Sequence, residues 1–275
     1  MRIYRKLALT LFVWALVLLI SFPLVWMVIT SVKPQTELFR IPPTWVPETV
    51  TFEHYWKLLS ETPFLTYFGN SVILSGSTTL FVVALATLGA YSLVRFRYRG
   101  RETLATLVLF TYLLPSVVLV IPLYLMMVAL GLSNTLFSLV LAYTTFALPY
   151  ALWLMRSFMD GVPEDLESAA LVDGASRMGA FKDIIFPQLL PGIISTALFT
   201  FILAWNEYLY ALVLVNSDAS RPLTTGVMSM LISAFNIEWS LLMAASVMMS
   251  VPLIVIFAFL QSYLTSGFGG GAVKG

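Results

Sequence analysis

The sequence predicts an all-α membrane protein with six transmembrane helices, both termini cytoplasmic, and a two-helix cytoplasmic elbow between spans four and five. Three observations predict it. The 275 residues are 59% hydrophobic and 11% charged, whereas soluble domains carry about a quarter charged residues, and mean hydropathy is +0.91. Charge-poor windows long enough to cross a bilayer, which takes about 20 apolar residues, recur along the chain. Arginine and lysine fall mostly on one side of those windows.

The windows define one transmembrane domain over 1–275, with spans at about 7–32, 68–94, 103–130, 134–156, 188–213 and 241–265. The first runs from Leu7 to Val32, far beyond the roughly 7–15 apolar residues of a cleavable signal. Thr103–Met155 is charge-free over 53 residues and is divided by Gly131-Leu132-Ser133-Asn134-Thr135, a turn signal. Pro115 and Pro122 interrupt the third span and Pro187 and Pro191 open the fifth. Placing the N-terminus in the cytoplasm puts 11 of the 15 basic residues inside, including the cluster Arg95, Arg97, Arg99 and Arg101. That bias sets orientation.

Composition also excludes functions. There is no cysteine and a single histidine, His54, so no disulfide, thiolate nucleophile or histidine metal centre can form within one chain. No metal site and no catalytic residue set is expected. A net charge of +1 implies no nucleic-acid partner. No Gly-Lys-Ser/Thr sequence occurs, so the chain has no phosphate-binding P-loop. The external segment Lys33–Glu61, with four prolines, reads as an extended interfacial path rather than a folded domain, and His54 within it reads as a surface histidine.

The loop over 157–187 carries the clearest pattern. Pro163 suits a helix start, and Glu164, Asp165 and Glu167 follow where the helix dipole favours anions. Leu166, Ala169, Ala170 and Asp173 share one face. Gly174 offers a left-handed stop, Ser176 a cap for a second short helix through Phe186, and Pro187 the return to the membrane. The residues alone leave two readings open: a docking surface for a partner, or a connecting loop with a solvated acidic face.

The stretch Glu167-Ser168-Ala169-Ala170, Asp173-Gly174-Ala175, Ile184-Ile185-Phe186-Pro187 and Leu190-Pro191-Gly192 resembles the "EAA" signature of binding-protein-dependent ABC importer permeases. Ser168 stands where many members have a second glutamate. Leu114-Pro115-Ser116, Ile121-Pro122-Leu123-Tyr124, Gly131–Thr135 and Ala204-Trp205-Asn206-Glu207-Tyr208 are similar to carbohydrate-uptake permeases, and Gly271–Gly275 to the smaller subunit of maltose and trehalose transporters. The resemblance implies one half of a heterodimer with a second permease subunit in the cell inner membrane. Two copies of a cytoplasmic ATPase would bind ATP and Mg, leaving this chain without cofactors. An external solute-binding protein would face 216–238, where Asp218, Arg221 and Asn236 are candidate contacts, and the cargo would be a sugar. The resemblance assigns ATPase coupling to Glu167, Ala169, Ala170, Asp173, Gly174 and Pro187, with Glu167 expected to meet a basic residue of the ATPase. The Gly-rich tail from Gly267 is expected to be flexible.

Glu207 is the one carboxylate well inside a predicted span, where polar groups are costly and often functional. With Asn206, Trp205 and Tyr208 it offers the aromatic faces and hydrogen-bonding groups a sugar path uses. A helix–helix polar contact and a site near the outer interface remain open. An ion-coupled secondary transporter, with Glu207 as relay, and an ABC permease for a non-sugar solute are the competing functions.

Overall fold

A bilayer core has no water to satisfy backbone N–H and C=O groups, so apolar windows of this length must be helical or closed barrels. The computed structural model describes residues 2–233 and 238–269, and among them there is no strand. Five helices are long and apolar enough to cross a membrane, and a bent helix pair makes a sixth. The chain forms two compact units, Met1–Leu65 with Val227–Pro252, and Thr66–Gly226 with Leu253–Gly275. Asn236 and residues 270–275, including the Gly271–Gly275 terminus, lie outside the described residues. The final helix continues through Gly269.

The first unit holds α1 (Arg2–Ser31), α2 (Gln35–Leu38) and α3 (Glu53–Ser60), and shares α12 (Leu223–Ser233) and α13 (Trp239–Gly269). None of the apolar window of α1 is buried within the chain. The segment after it is organised rather than merely extended. Lys33 is 2% exposed; its Nζ donates to the Thr44 hydroxyl at 3.0 Å and lies 3.8 Å from a Glu37 carboxylate oxygen and 5.2 Å from the Trp26 ring centroid. A buried ammonium needs such partners, and the lysine thereby gathers a proline-rich segment around itself.

His54 corrects the sequence expectation. It is buried, not a surface residue, because it shares the inner face of α3 with Leu58 at i, i+4. Its Nε2 lies 3.1 Å from the Lys33 carbonyl oxygen, which also accepts the Ser240 hydroxyl at 2.9 Å.

Glu37 accepts the Thr44 hydroxyl at 2.6 Å and the Glu48 N–H at 3.2 Å. The Thr44 hydrogen bond above all, with backbone donation and the Lys33 charge, holds its carboxyl below the usual range against the opposing effect of burial. A depressed carboxylate pKa adds stability that is complete above the unfolded value, about 4.3, and is lost as pH falls through the folded value. Hydrogen exchange over residues 33–48, corrected for intrinsic rates, is expected to be flat from pH 7 to about 5 and to accelerate below about 4. Glu37→Gln should abolish that step.

The second unit contains most of α4 (Phe64–Arg95), then α5 (Arg101–Tyr112), α6 (Ser116–Ala129), α7 (Leu136–Asp160), α8 (Glu164–Val172), α9 (Arg177–Ala180), a π-helical turn (Phe181–Ile185), α10 (Phe186–Asn206) and α11 (Leu209–Leu214). Helix α7 is central: it packs on α5, α6, α10 and α11. One apolar cluster joins Ala86 and Ala90 of α4 to Ala151 and Met155 of α7 and to Ile185 and Leu189. Another joins Leu74, Leu139, Tyr143, Tyr210 and Leu214.

Two expected spans are not straight. The third bends by 100° between α5 and α6. Pro115 sits at that break with φ −58° and ψ 126°; it lacks an N–H and forces its predecessor out of the helical region. Pro122 lies inside α6 without a break. The fifth stops at Asn206 and resumes at Leu209, because Glu207 adopts an extended conformation.

The turn signal Gly131–Thr135 has a specific cause. Asn134 has φ 59°, a left-handed conformation that asparagine tolerates better than most residues. Its Oδ1 accepts the N–H groups of Asn216 and Ser217 and the Ser217 hydroxyl, each at 3.0 Å, while its own N–H reaches the Leu214 carbonyl at 3.1 Å. Asn134→Leu strands those three donors and strains the turn. Thermal unfolding in detergent should show a loss of roughly 1–3 kcal/mol, with Asn134→Asp retaining most of the stability.

Candidate functional site

The elbow is built from local signals. The first turn of α8 carries Glu164, Asp165 and Glu167. Its end is closed by Gly174 at φ +89°, with the Ala175 N–H on the Ala170 carbonyl at 3.0 Å and the Gly174 N–H on the Leu171 carbonyl at 3.2 Å, a Schellman closure. The Ser176 hydroxyl accepts the Gly179 N–H at 3.1 Å and caps α9.

The two faces of the elbow differ. Ala169, Asp173, Gly174 and Pro187 are exposed and Ala170 is half-buried. Apolar side chains stand out beside them: Val172 is 87% exposed, Met178 68% and Leu166 40%. Glu167 turns the other way. It is buried, its Oε1 accepts the Tyr91 hydroxyl at 2.6 Å, and its Oε2 lies 3.1 Å from Arg95 Nε. That second contact is an ion pair by distance, but its angle is too bent for a hydrogen bond. The expectation that Glu167 meets a basic residue of another chain is therefore revised: the basic group beside it is Arg95 of its own chain. The sequence placed Arg95 only as one of a cytoplasmic cluster, because nothing in the spacing joins residues 72 positions apart.

The structure separates the four residues proposed for a translocation path. Glu207 alone lines a recess of about 330 Å³ with Thr111, Tyr112, Ser116, Phe146 and Tyr210 among others. Its carboxylate also accepts the N–H groups of Tyr210 at 2.8 Å and Ala211 at 3.2 Å, capping α11. Its carbonyl accepts the Thr224 hydroxyl at 2.7 Å. Asn206 returns its amide to the Ile202 carbonyl at 2.8 Å. Trp205 is 2% exposed and packs on Phe68 and Phe201, and Tyr208 is exposed. The sequence did not place Tyr112 and Ser116 with Glu207, because it is the bend at Pro115 that brings them to the same recess. In the 216–222 loop, Asp218 pairs with Arg221 and accepts the Tyr67 hydroxyl at 2.7 Å, so both charges are engaged within the chain. Among the described residues, no group of three or more His, Cys, Asp or Glu is placed to hold a metal.

Residues 83–269, which include the elbow, the recess and both broken spans, match the family described as "Binding-protein-dependent transport system inner membrane component". The chain belongs to this family. It is a multi-span permease of the ABC importer type. It is 36% identical over 265 residues to the diacetylchitobiose uptake system permease protein DasC of Streptomyces coelicolor, covering 96% of each chain. It is 34% identical over 256 residues to the trehalose/maltose transport system permease protein MalG of Thermococcus litoralis, covering 92% of this chain and 91% of that one. A chain of a bacterial ABC transporter involved in the import of the acidic polysaccharide alginate shares the fold, with a TM-score of 0.84 at 21% identity and coverage of 95% and 96%. The permease thus presents exposed apolar side chains among carboxylates on its elbow, and a recess where Glu207, Thr111 and Ser116 stand among aromatic and leucine side chains.

Proposed function

We propose that this permease carries a disaccharide or oligosaccharide across the inner membrane, as one half of a heterodimer with a second permease subunit. One of two cytoplasmic ATPase subunits docks on the elbow, and an external binding protein delivers the sugar. The observation that carries this reading is the elbow's division of faces. Val172 and Leu166 are exposed on α8, outside the candidate spans, and Met178 is exposed at the start of the helical run that leads into the fifth; an uncovered apolar surface outside the spans marks an interaction site. ATP and Mg²⁺ belong to the ATPase chain, since this sequence has no P-loop. Both termini lie in the cytoplasm with the elbow, following the arginine and lysine bias. The sugar class follows from the relatives, which are named for diacetylchitobiose and for trehalose and maltose. It fits a recess of tyrosine rings, hydroxyls and one carboxylate.

Gly174 tests docking. A Cβ there meets nothing within 4 Å, so only the positive φ resists substitution. A non-glycine residue in that conformation costs about 1–2 kcal/mol, less for asparagine. In the reconstituted transporter, Gly174→Leu is expected to leave ATP hydrolysis and abolish uptake of labelled maltose, trehalose or diacetylchitobiose, whichever the wild type takes up. Gly174→Asn should retain most uptake. Normal transport by Gly174→Leu would refute the docking elbow. Uptake that persists without the ATPase and collapses with a protonophore would instead favour an ion-coupled carrier.

A further inference from the structure

Arg95 ends α4, a helix with no direct chain connection to the elbow. Its side chain is 5% exposed. Its Nη2 donates to the Val162 carbonyl at 2.6 Å, just before α8, and its Nε lies 3.1 Å from the Glu167 carboxylate. One turn earlier, the Tyr91 hydroxyl donates to the same carboxylate at 2.6 Å, and the Tyr91 ring lies 4.8 Å from that of Phe181 in the π-helical turn. The Arg177 guanidinium stands 5.1 Å from the Phe96 ring. All of the elbow's short helical pieces are thus held by one short stretch, residues 91–96, the last turn of α4 and the residue after it.

Covalently, the elbow can pull only on α7, which precedes it, and α10, which follows it. The buried pair of Glu167 and Arg95 adds α4 as a third. Without Glu167, Arg95 would keep only the exposed Glu164 carboxylate as a counter-charge, 3.9 Å from its Nη1, so this contact does not open freely. The carboxylate faces inward and the apolar residues outward, which separates the surface that meets a partner from the surface that passes the displacement on.

We propose that Arg95 is the positioning residue that makes α4 follow the elbow: α8 and the cytoplasmic end of α4 move as one body through the transport cycle. This rests on the docking reading above, and the two can fail separately. The chain has no native cysteine, so spin labels at Leu88→Cys on α4 and Asp165→Cys on α8, both exposed, report one distance in the complete transporter. Pulsed electron resonance is expected to give the same distance distribution without nucleotide and after ATP–vanadate trapping. Arg95→Gln should broaden that distribution and lower sugar uptake per ATP hydrolysed by about tenfold, with the ATPase still co-purifying at the wild-type ratio. Arg95→Lys, which keeps the charge but not the fork, should recover part of the loss.

A wild-type distance that changes between the two states overturns the proposal, as does an Arg95→Gln transporter that couples normally. Should Arg95→Gln fail to assemble, the wild-type distance pair decides alone. Docking is read independently by Val172→Glu, which should release the ATPase. If it does not, the docking reading fails whatever the distance pair shows.

Discussion

Gly192→Val is expected to destabilise the permease more than any surface substitution in the elbow. A Cβ built on Gly192 falls 2.4 Å from Cγ and 2.8 Å from Cβ of Phe158. The clash reaches the root of the phenylalanine, so a change of rotamer does not relieve it and α7 and α10 must separate. Overpacking of this kind costs about 1–3 kcal/mol and occasionally more. Here it falls where α10 packs along the central helix. Thermal unfolding in detergent should show the loss, and Gly192→Ala should show a smaller one. The mechanism predicts its own rescue: Phe158→Ala combined with Gly192→Ala should be more stable than the sum of the two single effects, because the cavity left by one accommodates the methyl of the other. Strict additivity would mean that close approach is not the reason for the glycine.

Glu167→Ala is expected to have the second large effect, and its location is diagnostic. The substitution leaves the Arg95 guanidinium with the Val162 carbonyl at 2.6 Å and the exposed Glu164 carboxylate at 3.9 Å, and takes the acceptor from the Tyr91 hydroxyl. Removing one member of a buried ion pair costs about 3–5 kcal/mol. The permease, purified without any ATPase, should therefore unfold at lower temperature. Tyr91→Phe, which deletes one hydrogen bond and keeps the ring against Phe181, should cost about 1 kcal/mol. A glutamate serving the ATPase directly would behave otherwise: the isolated permease would keep its stability and only the affinity for the ATPase would fall. Measuring both quantities on the one variant separates an inward-facing carboxylate from an outward-facing one.

These two variants also show how far a linear reading reaches. Gly192 was visible as part of a Pro-Gly step, yet nothing in the sequence placed it against Phe158 across two helices. Glu167 was visible as the carboxylate of the elbow, and helical periodicity grouped Leu166, Ala169, Ala170 and Asp173 correctly on a different face. Periodicity cannot say what the remaining face meets, so the partner of Glu167 was sought outside the chain and stands inside it. Pro115 and Pro122 looked equivalent as chain breakers. Only Pro115 breaks its span, since Pro122 is carried within α6. Asn206, Glu207, Trp205 and Tyr208 are contiguous in sequence, but their side chains enter different surroundings. The extended residue Glu207 ends one helix and caps the next, sending its neighbours in different directions.

The sequence by itself determined the helical class, the run of apolar helices, the glycine-closed elbow and the family. The reason is that these depend on local quantities: apolar length, charge position, left-handed turns and caps. Tertiary structure alone decided the burial of His54, the inward turn of Glu167 onto Arg95 and Tyr91, the 100° bend that brings Tyr112 and Ser116 to Glu207, and the contact that requires Gly192. Each depends on which face of one helix meets another far along the chain, and burial and pairing of that kind are settled by packing, which no local pattern encodes.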